Sequence, residues 1–313
     1  MAGFFNALSA CGVLLLIMSL GYLMGKLGWM TAQEKKFVSQ YIINIAVPCN
    51  CIAGLLNNLD RDSLVQAAML VLAGMGSVIV SLLASALLAL PLRLPRERWG
   101  VFVAMAGFSN TLFIGIPVCT QLFGEECLPQ VMLYYLAHSL ILQSVGILLV
   151  ERAGAAGARK QSPSGFLRDM LCKPPIVGIF SAVIMLALGL RLPAPLMRVA
   201  EYVSDSVTPL ALIYCGFIIY EIGLKNLRLM PGHGVMLVFR LVAAPAICMG
   251  FCALFGVTGL ARNVFVVESA LPVVSQVTVM AGAYGADEQY AASGACLSIF
   301  GSFITLPLLM LIL

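Results

Sequence analysis

Charged residues are scarce in this sequence. They make up 10% of its 313 residues, whereas 61% are hydrophobic, and an ordinary soluble domain is about 25% charged. The mean hydropathy is +1.01. This small number of charged residues cannot cover a water-exposed surface. We therefore expect an all-α integral membrane protein. At about 20 residues per span, the length allows about ten spans and leaves no room for a soluble domain.

Catalytic and metal-binding signatures are also lacking. GxSxG, HExxH, phosphate-loop and dinucleotide patterns do not occur, and the ten cysteines lie mostly in apolar runs without C-x-x-C pairs. We therefore expect no enzyme, no metal and no cofactor, with the cysteines packing as small hydrophobic side chains. The net charge of +4 does not indicate nucleic acid as a partner, because the basic residues flank apolar runs.

Apolar runs bounded by charges, Gly or Pro predict the spans. They cover roughly residues 4–27, 37–56, 64–90, 99–123, 128–150, 174–190, 197–220, 235–256, 262–284 and 289–312. Most Lys and Arg residues follow odd-numbered spans, so the positive-inside rule places these connections in the cytoplasm. Both termini are then expected on the extracytoplasmic side of the plasma (inner) membrane.

The longest polar segment, residues 151–173, divides the chain into two parts. Residues 1–150 and 174–313 would each hold five spans, with 151–173 as a cytoplasmic connection. An odd number of spans per part makes the second part enter the membrane in the opposite orientation. The sequence therefore predicts two inverted five-helix repeats.

Helix breakers recur at corresponding places in these repeats. Span 4 has Gly115 and Pro117, and span 9 has Pro272; span 2 has Pro48 where span 7 has Pro209. Paired interruptions predict two broken helices, spans 4 and 9, that cross at a binding site near the bilayer midplane. The alternative is that the prolines are simple kinks.

Residues at and beside these breaks, including Gly115, Pro117 and Pro272 themselves, are candidate substrate contacts. Asn110 and Thr111 precede Pro117, Val273 and Gln276 follow Pro272, and Asn50 follows Pro48. Because half-helix N-termini present free N–H groups and a positive dipole end, such a site favours an anion.

Ionisable residues inside spans suggest further roles, since burying them in a membrane is costly. His138 is a candidate for substrate or proton contact, or else a packing residue. Glu268, four residues before Pro272, could bind a proton or cation. Asp205 and Arg240 could form a buried structural pair. The small residues of Gly21-x-x-x-Gly25 in span 1 allow close helix packing, either within the chain or at a dimer seam.

Several motifs resemble the auxin efflux carrier family, which includes plant auxin exporters and prokaryotic malate or malonate permease-like members. They are NTLFIGIP at 110–117, AVP at 46–48, ERAGA at 151–155 and ALP at 270–272. The resemblance implies crossing at Pro117 and Pro272, polar substrate contacts at Asn110 and His138, homodimers, elevator-like motion and organic anions as substrates. An amide is usual where His138 stands, and the short 151–173 connection also departs from many plant members, which favours a compact bacterial carrier over an auxin exporter.

The leading hypothesis is therefore a secondary transporter of mono- or dicarboxylates. Arg240 is the only basic residue well inside a predicted span, which favours a monocarboxylate or a half-protonated diacid. A sodium- or proton-coupled antiporter or symporter of the same architecture, and a membrane sensor that does not transport, remain the alternatives.

Overall fold

The computed structural model describes residues 2–59, 68–111, 114–154, 174–223 and 229–313. Within these ranges the regular structure is helical. The helices are α1 (Ala2–Lys26), α2 (Ala32–Tyr41), α3 (Val47–Asn58), α4 (Ala68–Ala89), α5 (Arg96–Gly107), α6 (Gly115–Phe123), α7 (Leu128–Ile141), α8 (Ile147–Ala153), α9 (Pro174–Ala187), α10 (Ala194–Asp205), α11 (Val207–Ile222), α12 (His233–Val238), α13 (Ala244–Leu254), α14 (Gly259–Ala270), α15 (Gln276–Tyr284) and α16 (Glu288–Leu309).

Among the described residues, six helical stretches are long and apolar enough to cross a membrane. They are Ala32–Asn57, Ala68–Ala89, Leu128–Ala153, Ala194–Glu221, His233–Leu254 and Glu288–Leu309. The helices α1 (Ala2–Lys26) and α9 (Pro174–Ala187) lie where spans 1 and 6 were expected. Expected spans 4 and 9 are each divided into two short helices, α5 with α6 and α14 with α15. The chain is a multi-pass membrane protein. Most of the 151–173 connection, from residue 155 onward, lies outside the described residues.

The outer surface carries large apolar side chains. Leu83 is 60% exposed, Leu87 67% and Val238 65%. Such a surface would aggregate in water and instead suits a lipid environment.

Widened helical turns stand just before two prolines. Ile42–Ala46 and Phe239–Ala243 form π-helical turns ahead of Pro48 and Pro245. A proline ring clashes with the carbonyl four residues earlier, and the wider turn makes room for it. The interruption expected at Pro48 is thus a local widening, and the helix continues through it.

Close packing of α1 against α11 depends on glycines. A Cβ atom at Gly21 would overlap the backbone of Ile213, and one at Gly25 would overlap the ring of Tyr220. Gly216 of α11 lies equally close to the backbone of Met18. The Gly21-x-x-x-Gly25 motif therefore serves packing within the chain.

Candidate functional site

The two interrupted helices meet at their breaks. Phe108, which follows α5, and Leu271, which follows α14, have extended backbone, and Ser109 lies antiparallel to Val273. The Asn110 N–H donates to the Pro272 carbonyl at 2.9 Å, and the Val274 N–H to the Phe108 carbonyl at 3.2 Å. Each break thus supplies partners for backbone groups that the other break leaves unpaired, as a membrane interior requires.

The first break lies N-terminal to Pro117, which itself belongs to the first turn of α6. Backbone N–H groups in a first turn have no partner within the helix, so a proline costs little there. The meeting point is consequently residues 108–110 against 272–274, and not Pro117 against Pro272 as the sequence suggested. The side chain of Pro117 is outside the described part of the structure.

A small polar cavity lies beside this meeting point. Its volume is about 30 Å³, roughly the share of one water molecule in the liquid. None of the described residues around it carries a formal charge when its histidine is neutral. The lining residues are Asn50, Asn110, Thr111, Tyr135, His138, Ser139, Leu142, Gln143, Val207, Val274, Ser275 and Gln276.

The structure brings five predicted residues together here. They are Asn50, Asn110, Thr111, His138 and Gln276, from spans 2, 4, 5 and 9. The remaining four predicted contacts do not line the cavity: Pro272 and Val273 contribute backbone to the meeting point, Gly115 lies behind it against Glu268, and Pro117 is in the first turn of α6.

Sequence reasoning missed Tyr135, Ser139 and Gln143, which also line the cavity. They lie near His138 at helical spacing, on the same side of the α7 span. The polar residues 135, 138, 139 and 143 follow an i, i+3, i+4 and i+8 pattern, which could have identified them.

Most amide groups around the cavity already have partners. Asn50 Nδ2 donates to the Tyr135 hydroxyl at 3.1 Å, and the Ser204 hydroxyl donates to Asn50 Oδ1 at 2.8 Å. Gln143 and Gln276 donate to each other's side-chain oxygens at 3.4 and 3.1 Å. The Gln143–Gln276 pair therefore joins span 5 to span 9 and closes the cavity between them.

His138 has one engaged nitrogen and one without a partner. The Ser109 N–H donates to Nε2 at 3.1 Å, so in the neutral ring Nδ1 carries the hydrogen. Nδ1 is buried and makes no hydrogen bond. Phe108 packs edge-on against the ring, with centroids 5.2 Å apart, and helps hold it. His138 thus offers a free N–H donor to a group that enters the cavity.

The α15 helix begins at the cavity wall. Ser275 and Gln276 line the cavity, and their backbone N–H groups find no acceptor within the described residues. The positive end of the α15 dipole and His138 therefore border the same cavity. Together these groups can bind a carboxylate oxygen without a charged side chain.

Arg240 is buried behind the same meeting point, with 1% of its surface exposed. Its guanidinium donates to the carbonyl of Ala106 at 3.1 Å and to the carbonyl of Ser269. These carbonyls belong to the last turns of α5 and α14. Each helix C-terminus carries about half a negative charge, so the two together balance the single positive charge of the guanidinium.

The Asp205–Arg240 pair expected from the sequence does not form. Asp205 is exposed at the end of α10, whereas Arg240 is bonded to the two carbonyls. The backbone groups freed by two helix breaks replace the carboxylate that the buried cation was expected to need.

Glu268 is fully buried on α14, close to the start of α6. Cys119 Sγ donates to Oε1 at 3.4 Å, and Oε2 has no partner. A Cβ atom at Gly115 would overlap this carboxyl group unless the Glu268 side chain shifted. Glu268 therefore contacts the start of α6.

No cluster of three or more metal-ligating side chains occurs in the part of the chain that the structure describes. The eight described cysteines carry free thiols, and all but Cys49 are buried.

Interrupted apolar helices that surround an uncharged polar cavity define this chain as a multi-pass membrane protein of the transporter type. A family model described as "Membrane transport protein" matches residues 9–310. The chain belongs to this membrane transport protein family, and the resemblance to the auxin efflux carriers is confirmed.

Three relatives match over most of their length. An uncharacterized transporter of Methanocaldococcus jannaschii is 24% identical and covers 95% of each chain. An uncharacterized transporter of Methanothermobacter thermautotrophicus is 26% identical and covers 94% of each. A protein of Rhizobium meliloti named "Putative malonate transporter" is 23% identical over 88% of this chain and 85% of its own.

Proposed function

We propose that this protein is a secondary transporter that moves small organic anions, mono- or dicarboxylates, across the plasma (inner) membrane. The observation that supports this most is the uncharged cavity at the meeting point, which is lined by the start of α15 and by His138 with its unpaired Nδ1. A carboxylate accepts hydrogen bonds and favours a positive helix end. The family and the malonate-named relative support the same class.

The proposed architecture has ten spans in two inverted repeats, 1–150 and 174–313, joined by 151–173, with both termini extracytoplasmic. The two interrupted helices would then be spans 4 and 9, related by the repeat. In this proposal they move as one body in elevator fashion against a scaffold, and two copies of the chain form a homodimer.

Binding in this proposal requires the cavity to expand. A volume of about 30 Å³ is too small for a carboxylate with its carbon chain. Because Gln143 and Gln276 line the cavity and are bonded to each other, a substrate in this proposal separates these amides and takes over their hydrogen bonds. We therefore interpret the structure as a closed state of the site.

The absence of charged lining side chains favours a single negative charge on the substrate. A second carboxylate in the cavity would need a further cation, and the nearby Arg240 is engaged by two carbonyls. We therefore propose a monocarboxylate or a singly protonated diacid as the transported species, since an unpaired buried charge is costly.

The test is ligand-induced thermal stabilisation of purified protein with malonate and with pyruvate. Asn110→Ala removes a buried amide that lines the cavity. Hydrogen bonds to a charged group contribute about 1.5–3 kcal/mol, so affinity should fall roughly 10- to 150-fold. Asn57→Ala is the control, because Asn57 is exposed and bonds Glu201 outside the cavity.

If the carboxylate stabilised wild type and Asn110→Ala equally, the assignment of Asn110 to the substrate site would be wrong. Counterflow of the stabilising carboxylate in proteoliposomes tests transport itself. Binding without counterflow would indicate a membrane sensor in place of a transporter.

A further inference from the structure

Glu268 has no role in the carboxylate site described above, yet its burial in the membrane core is complete. An ionised carboxylate in such surroundings needs several hydrogen-bond donors or a cation. Within the described residues Glu268 accepts one bond, from the Cys119 thiol, which is a weak donor. Its other oxygen, Oε2, has no partner.

Within the described residues, no element packed against α14 supplies a free positive charge. These elements carry thiols and phenols, which are neutral near pH 7, the acids Glu126 and Glu288, and His138, whose Nε2 accepts a backbone N–H. The one cation on these described elements, Arg240, is engaged by two backbone carbonyls. The thiols and phenols are those of Cys119, Cys127, Tyr134, Tyr135, Cys248, Cys252, Tyr290 and Cys296.

The position of Glu268 connects it to the cavity. Its carboxyl group contacts Gly115, the first residue of α6. The Gly115 N–H donates to the Asn110 carbonyl at 3.2 Å, and Asn110 lines the cavity. A change of charge on Glu268 therefore acts on the segment that forms one wall of the substrate site.

We propose that Glu268 is a proton-binding site and that the protein is an anion–proton symporter. This rests on the proposed function. A proton from water on one side binds Glu268 Oε2, travels with the carboxylate substrate, and returns to water on the other side. One proton and one monoanion together move no net charge across the membrane, so the membrane potential does not oppose uptake of the anion.

The first experiment detects the proton directly. Infrared difference spectra of the protein in lipid at neutral pH should show the C=O stretch of a protonated carboxylic acid. Glu268→Gln should abolish that band, whereas Glu126→Gln should leave it unchanged, because Glu126 is exposed. Absence of a band that depends on Glu268 would overturn the proposal.

The second experiment measures coupling in proteoliposomes with labelled malonate or pyruvate. In wild type, a pH gradient that is acidic outside should drive accumulation, and a protonophore should abolish it. Glu268→Gln should retain counterflow at equal pH but lose accumulation. Should this variant fail to fold, the wild-type response to the pH gradient and protonophore still decides the question.

The experiments distinguish a failure of the proton-coupling proposal from a failure of the proposed organic anion transport. Wild-type counterflow without any response to the pH gradient, or accumulation driven by a sodium gradient instead, overturns proton coupling and leaves the organic anion assignment intact. No counterflow with either carboxylate contradicts the proposed function, and the infrared band then decides whether Glu268 holds a proton.

Discussion

Replacement of Arg240 by methionine should destabilise the fold substantially. The substitution keeps an unbranched side chain but removes the donors to the Ala106 and Ser269 carbonyls. Two negative helix ends would then face each other without a partner. Removal of one member of a buried charged interaction typically costs about 3–5 kcal/mol, a large share of the roughly 5–15 kcal/mol of a typical domain.

The assay is thermal unfolding of purified protein in detergent. At roughly 2 °C per kcal/mol for a large chain, the melting temperature should fall by about 6–10 °C. Arg262→Met is the matched control, because Arg262 is half-buried and bonds the Asn263 side chain; its effect should stay within about 0.5 kcal/mol. The melting temperature of Arg240→Lys should lie between those of Arg240→Met and Arg262→Met. An ammonium group keeps the positive charge but lacks the planar fork that reaches both carbonyls.

Equal melting temperatures for Arg240→Met and Arg262→Met would refute this reasoning. The guanidinium would then contribute nothing to holding the ends of α5 and α14 together, and the two helix dipoles would not need a cation between them.

Two further variants test the packing and the ion pairs. Gly21→Ala should destabilise by about 1–3 kcal/mol, because its Cβ would overlap the Ile213 backbone. Gly250→Ala, where a Cβ would meet nothing within 4 Å, should be neutral or stabilise by up to about 1 kcal/mol in the same unfolding assay. Lys35 Nζ joins α2 to Glu221 at 2.9 Å and to Glu288 at 2.8 Å. Lys35→Met should change stability by less than about 1 kcal/mol, since such pairs are partly exposed, but should alter the counterflow rate if α2 moves relative to α16. An unchanged rate would show that these contacts do not break during transport.

The sequence predicted the breaks because their cause is local. Gly, Pro and polar side chains in an apolar run disfavour a continuous helix wherever the run is placed. The polar residues Asn110 and His138 were identifiable for the same reason, since their membrane burial is costly.

The partners of buried groups could not be predicted in the same way. Arg240 was expected to need a carboxylate, but backbone carbonyls that exist only after two distant helices break together satisfy it. The Gln143–Gln276 pair also depends on contact between residues 133 positions apart. Such contacts follow from the tertiary arrangement and cannot be predicted from residue types alone.

The contact between the two breaks has a consequence for how such a protein can change its substrate. Main-chain atoms of residues 108–110 and 272–274 make the antiparallel contact, so no particular side chain is required to form these hydrogen bonds. Asn110, Thr111, Ser275 and Gln276 can therefore be exchanged for other residues while the junction persists. Selectivity and architecture are separable here, and redesign of the ligand preference should begin at these four positions.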